Sequence, residues 1–157
     1  MSSTYLFDTN AFINWFEHYG VDIVEGLDIK IKDLIISQRL ISVREVFREI
    51  KVKTDNVAEW AKKNSDLFLD PSDEVVGQMF YVMEKYSHLI NAFKPKPQSD
   101  PWIIAQAIVF CEKKGVDSLT VVVNDSRLMS ALTEEGIAVL DLKGFMRAEG
   151  ISFKVVR

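Results

Sequence analysis

Short apolar runs that break off into polar residues, separated by helix-forming stretches, constrain this chain more than any other feature. Tyr5-Leu6-Phe7 gives way to Asp8-Thr9-Asn10, Leu40-Ile41-Ser42-Val43 to a charged segment, and Leu119 to Val123 to Asn124-Asp125, while Ile137 to Leu140 is a fourth run of the same kind. Strands that alternate with helices cannot be joined by hairpins and predict a parallel sheet covered by its own crossovers. The expectation is therefore an α/β fold: one three-layer domain over residues 1–157 with a mostly parallel central sheet flanked by helices. Ile151 to Val156 is expected to add an edge strand.

The connecting stretches read as helices. Ala11 to His18 carries Phe12, Trp15 and Phe16 on adjoining faces, and a second helix runs through Val46, Phe47 and Ile50. Asn56 to Asn64 and Ser72 to Ile90 give two more, the latter with Val75, Val76, Met79, Phe80, Met83 and Tyr86 as its expected core stripe. Lys94-Pro95-Lys96-Pro97 breaks the pattern as a loop, because its prolines resist helix continuation. Pro101 is expected at the first position of a helix through Ile103, Ile104, Ala107, Ile108 and Cys111 that Gly115 ends. Trp15, Trp60 and Trp102 read as packing residues.

Four acids stand out against this layout. Asp8 and Asp125 each follow a predicted strand, which puts both at one edge of the sheet if those strands are neighbours, where open α/β sheets gather their ligands. Asp100 heads the helix whose inward stripe points toward the same edge, and Glu49 sits on the helix after the second strand. Glu45, one turn earlier, shares the face of Glu49 and competes for its role. Each acid also has a plain structural reading. Asp8, Asp100 and Asp125 suit helix N-caps, and Glu49 suits an exposed pair with Lys53. Capping accounts for an acid at three helix starts but does not predict their convergence.

An all-oxygen set suits a hard cation, Mg²⁺ or Mn²⁺, whose charge relieves the repulsion among clustered carboxylates. Such a site hydrolyses phosphodiesters without histidine, and neither His18 nor His88 lies in a motif. A net charge of −4 argues against general coating of nucleic acid, so recognition has to be local. Arg44, Arg48, Lys51 and Lys53 accompany Glu49, and Lys94 and Lys96 precede Asp100, where they could meet phosphates or simply be solvated. The single Cys111 cannot form a disulfide within the chain, and no apolar run approaches the length of a membrane span. A reducing, cytoplasmic setting without membrane attachment is the expectation.

The segments Leu6-Phe7-Asp8-Thr9-Asn10, Val46-Phe47-Arg48-Glu49-Ile50, Ser99-Asp100-Pro101-Trp102-Ile103-Ile104-Ala105 and Val122-Val123-Asn124-Asp125, in this order over almost the whole chain, resemble the PIN domain. The resemblance implies a Mg²⁺- or Mn²⁺-dependent endoribonuclease of the toxin–antitoxin type that cuts single-stranded RNA and leaves a 5′-phosphate and a 3′-hydroxyl. It implies Asp8, Glu49, Asp100 and Asp125 as catalytic and metal-holding acids, with Thr9, Asn10, Ser99 and Asn124 as polar support. A small antitoxin covering the acids and a homodimer are the partners that follow from it. Two positions depart from the pattern: Val123 stands where many PIN domains have Thr or Ser, and Arg127 where many have a further acid. A catalytically weak module binding RNA or protein is the second reading. An aspartate-nucleophile phosphohydrolase is the third, opposed by Asn10 where such enzymes usually carry a second Asp.

Overall fold

The computed structural model describes residues 3–19, 26–52, 56–89 and 98–151. Its five strands are β1 (Thr4–Phe7), β2 (Leu40–Val43), β3 (Phe68–Leu69), β4 (Leu119–Val122) and β5 (Ala138–Leu140). They form one sheet in the order β3-β2-β1-β4-β5, and every pairing is parallel. The helices among the described residues are α1 (Thr9–His18), α2 (Leu27–Ile36), α3 (Arg44–Lys51), α4 (Asn56–Lys63), α5 (Asp73–Lys85), α6 (Asp100–Lys114), α7 (Ser126–Glu134) and α8 (Leu142–Ala148). The α/β architecture is the expected one, and the sheet is parallel throughout rather than mostly so.

β1 lies at the centre because both its flanks can be buried. Leu6 and Phe7 are fully enclosed, and Tyr5 and Phe7 meet Phe145 of α8 edge-on at 4.8 and 5.2 Å between ring centres. Such aromatic pairs add about 0.5–1.5 kcal/mol each beyond their area burial. From β1 the chain first moves outward through β2 and β3, then returns to the other side of β1 as β4. The crevice at the carboxyl ends of β1 and β4 is thus the point where winding reverses, the usual ligand position in such sheets. The register Phe7 to Val122 brings the strand ends level, and Asp8 continues the ladder by donating its N–H to the Val122 carbonyl at 3.1 Å.

Several expectations need correction. β3 has no counterpart among the strands expected from sequence, because Phe68-Leu69 is too short to show a period. The expected edge strand from Ile151 to Val156 falls, apart from Ile151, outside the described residues. α5 stops at Lys85 and is followed by a short 3-10 turn at Ser87–Leu89. Its buried face is Val75, Val82 and Tyr86 with Met79 half-buried, while Val76, Phe80 and Met83 are exposed. The apolar residues wrap too far around this helix for composition to say which side packs. No helix among the described residues is long and apolar enough to cross a membrane.

The turn into β2 holds one strained residue. Gln38 adopts φ of 58°, a left-handed conformation that costs a side-chain-bearing residue about 1–2 kcal/mol. Gln38→Gly is expected to raise stability by roughly 0.5–1 kcal/mol after glycine's entropic penalty is offset, read as a higher midpoint in urea denaturation.

Candidate active site

The structure gathers the four candidate acids at the β1/β4 crevice from four different elements. Asp8 leaves β1 and caps α1, accepting the Ala11 N–H on Oδ1 at 2.7 Å. Asp125 follows β4 and caps α7, accepting the Arg127 and Leu128 N–H groups on Oδ1 at 2.8 and 3.2 Å. Both caps use one carboxylate oxygen, which pins the side chain and leaves Oδ2 outside the cap. Glu49 projects from α3 and accepts the Thr9 hydroxyl on Oε1 at 2.9 Å.

Asp100 differs from the capping expectation. It occupies the first helical position of α6, with Pro101 next, while Ser99 stands at the N-cap. The reading of Asp100 as a cap, and of Pro101 as the first helical residue, is thereby corrected by one position. Near a helix N-terminus a carboxylate is favoured by the dipole without serving as the cap.

Asp8 reports what this convergence does. It is 3% exposed, and burial pushes its carboxyl up to about 7. The bond from Ala11 works against that rise, whereas the negative charges of Asp100, Asp125 and Glu49 add to it. Four acids from sequence positions spread over more than a hundred residues therefore share one electrostatic neighbourhood.

Among the described residues no three acidic, histidine or cysteine side chains already stand together as a metal cage. Uncompensated carboxylates repel, and two of these are held by their helix caps. The donor set itself fits a hard divalent ion: it is all oxygen, it is anionic, and the raised carboxyl of Asp8 is the kind of strain a cation would relieve.

The supporting residues divide. Thr9 meets Glu49 and lies 3.4 Å from the buried Ser99 hydroxyl. Asn10 is exposed on the first turn of α1. Asn124 turns instead to α8, accepting the Leu142 N–H at 3.4 Å. Val123, where many PIN domains carry a hydroxyl, is fully buried and extends the sheet by donating its N–H to Leu140. Glu45 is buried against Arg44 at 3.3 Å, so it is Glu49 that contacts the Asp8-Thr9 segment.

The basic residues gather less than the sequence suggests. Arg44 is tied to Glu45 and to Asp70 at 3.6 Å, Arg48 and Lys51 are exposed, and Lys53, Lys94 and Lys96 lie outside the described residues, as does the expected Glu49–Lys53 pair. Sequence reasoning missed Ser42, which is fully buried and donates to the Phe7 carbonyl at 2.6 Å, tying β2 to β1 directly beneath Asp8. A lone hydroxyl in the apolar run Leu40 to Val43 was the available signal. A separate cleft of about 540 Å³ between α1, α2 and α4 is lined by Trp15, Phe16, Ile31 and Trp60 and contains none of the four acids. Asp28, Lys32 and Asn64 also line it.

Residues 5–153 match a family model described as a domain of unknown function, DUF4411. No curated protein matches the chain by sequence. Among solved structures, the crystal structure of FitAcB from Neisseria gonorrhoeae is similar with a TM-score of 0.53 and 15% identity, covering 89% of this chain and 99% of that one. At that identity the likeness is one of fold, and the architecture is PIN-like.

Proposed function

The chain belongs to the DUF4411 family, a domain of unknown function, and because that membership names no activity, we propose one from the site: a Mg²⁺- or Mn²⁺-dependent endoribonuclease acting on single-stranded RNA. The observation that carries this reading is Asp8, a carboxyl at the switch point of a parallel sheet that burial, together with three other acids, raises to about 7. Structural ion pairs perturb carboxyls downward, whereas an upward shift among like charges is a mark of functional sites.

In this reading Asp8 and Asp100 would hold the ion, Glu49 would reach it through a water, and Asp125 would complete its surroundings. A divalent ion bound there supplies Lewis acidity, lowering the pKa of a water and offsetting the charge that builds on the phosphodiester. Glu49, fixed by Thr9, orients the attacking water and accepts its proton. The exposed Arg48 and Lys51 on α3 contact backbone phosphates and set the position of the strand without reading its bases. The sequence motifs and the PIN-like fold also support a role as the toxin of a type II pair, with a small antitoxin that covers the acids, in the cytoplasm and as a homodimer.

One observation favours a second reading, a PIN-like module that binds RNA or protein with little turnover: among the described residues no three acidic, histidine or cysteine side chains are grouped as a metal cage. Both readings are tested by incubating purified protein with labelled single-stranded RNAs and Mg²⁺ or Mn²⁺, beside an EDTA control. Cleavage that EDTA abolishes is the expected result. Retention of RNA without cleavage under every metal condition would establish the binding module instead.

A further inference from the structure

We propose that Thr9 is a positioning residue of the nuclease site: its hydroxyl, itself oriented by Ser99, aims the Glu49 carboxylate toward Asp8. The inference rests on the nuclease reading and adds to it a relay that joins α1, α3 and α6 at the point where their side chains meet.

The direction of the relay follows from counting protons. A threonine hydroxyl carries a single proton, and an ionised carboxylate can only accept. Thr9 Oγ1 therefore gives its proton to Glu49 Oε1 at 2.9 Å. Ser99 Oγ, 3.4 Å from Thr9 Oγ1, must then be the donor of that second contact. The chain of bonds runs from Ser99 through Thr9 to Glu49, with residues 90 and 40 positions apart brought into line.

Ser99 supplies the independent sign that the arrangement is not incidental. It precedes α6 with a backbone that is already helical, φ −81° and ψ −25°, rather than the extended one from which serine caps a helix. Its hydroxyl accordingly makes no cap bond. Its side chain is 3% exposed and its hydroxyl is directed to Thr9 instead. A buried serine hydroxyl that does not cap its helix is placed to act on Thr9.

Glu49 needs that orientation. It reaches the site from α3, a helix of only eight residues, and its charge is one of the three that act on Asp8. A glutamate has three rotatable side-chain bonds, and without the Thr9 hydroxyl it would sample rotamers that face solvent. Such outer partners of a metal site are worth about 10- to 100-fold in activity or metal affinity.

The test compares wild type, Thr9→Val, Thr9→Ser, Ser99→Ala and Glu49→Gln by single-turnover RNA cleavage and by calorimetric titration with Mn²⁺ alone. Thr9→Val keeps the shape and loses the hydroxyl. It is expected to lower kcat by about 10- to 100-fold and weaken Mn²⁺ binding by about tenfold, with KM for RNA unchanged. Thr9→Ser restores the hydroxyl and is expected to recover to within about threefold of wild type, and Ser99→Ala, acting through the longer contact, to lose roughly threefold. A Thr9→Val protein with wild-type kcat and Mn²⁺ affinity, beside an inactive Glu49→Gln, would overturn the positioning role and leave the nuclease reading standing. Equal impairment of the Ser and Val variants would assign the effect to packing and overturn it as well. A wild type that neither cleaves nor takes up Mn²⁺ would overturn the nuclease reading, and this inference with it.

Discussion

Asp8→Asn is expected to abolish RNA cleavage and at the same time make the metal-free protein more stable. The amide keeps the oxygen that accepts the Ala11 N–H, so the α1 cap survives. What disappears is a buried charge surrounded by Asp100, Asp125 and Glu49, toward which the new NH₂ can donate. The size of the gain follows from linkage. The folded chain holds this proton up to about 7 against an ordinary value of 3.8, so between those two pH values the native state binds more protons than the unfolded state. This group's contribution to stability is therefore complete below pH 3.8, falls as pH rises to about 7, and stays lost above it. The shift corresponds to a cost on the order of 1–4 kcal/mol at neutral pH. Thermal unfolding of the two proteins without metal should show the variant ahead by several °C at about pH 7.5 and level with wild type near pH 4. Saturating Mn²⁺ should reverse the order, raising the melting temperature of wild type and not of the variant. A variant that is less stable than wild type at about pH 7.5 without metal would remove the electrostatic case for this site.

Asp100→Ala is expected to lose cleavage by more than about 100-fold, since outer-sphere partners alone are worth roughly 10- to 100-fold and this residue is proposed as a direct ligand. The accompanying stability change separates function from capping. Because Ser99 and not Asp100 holds the N-cap position of α6, the substitution removes no helix cap, and relief of Asp8 works in favour of the metal-free fold. Asp125→Ala, by contrast, removes the acceptor for two N–H groups of α7 and should cost about 1 kcal/mol or more in the same assay. Urea denaturation of both variants without metal checks the pair. A strongly destabilised Asp100→Ala would mean that its carboxylate is structural.

The strand ends were readable from sequence because the signal is local: Leu6 and Phe7 stop at Asp8, and the buried run ending in Val123 stops at Asn124-Asp125. Parallel order followed from the alternation with helices. Other features depend on partners that no local pattern reveals. β3 exists because Ser42 and Val43 offer an edge to Phe68 and Leu69, not because those two residues carry a period of their own. The buried side of α5 is chosen by what packs on it, which is why Phe80, apolar and on the predicted stripe, ends 80% exposed. At the site the four acids could be picked out by their places in the layout. The Thr9 relay could not, since its meaning lies in hydroxyls and a carboxylate that only the finished fold brings within reach.

The central place of β1 has a consequence in time. β1 leaves the ribosome long before its neighbour β4: Thr4 finds its partner in Leu119, and Asp8 its neighbour in Asp125. At roughly 5–20 residues per second, several seconds of synthesis separate those two ends of the ladder. Until β4 emerges the acids have no common edge, so a nascent or prematurely ended chain carries the motifs without the centre. However early the first motifs are made, the four acids meet only once β4 is available to pair with β1.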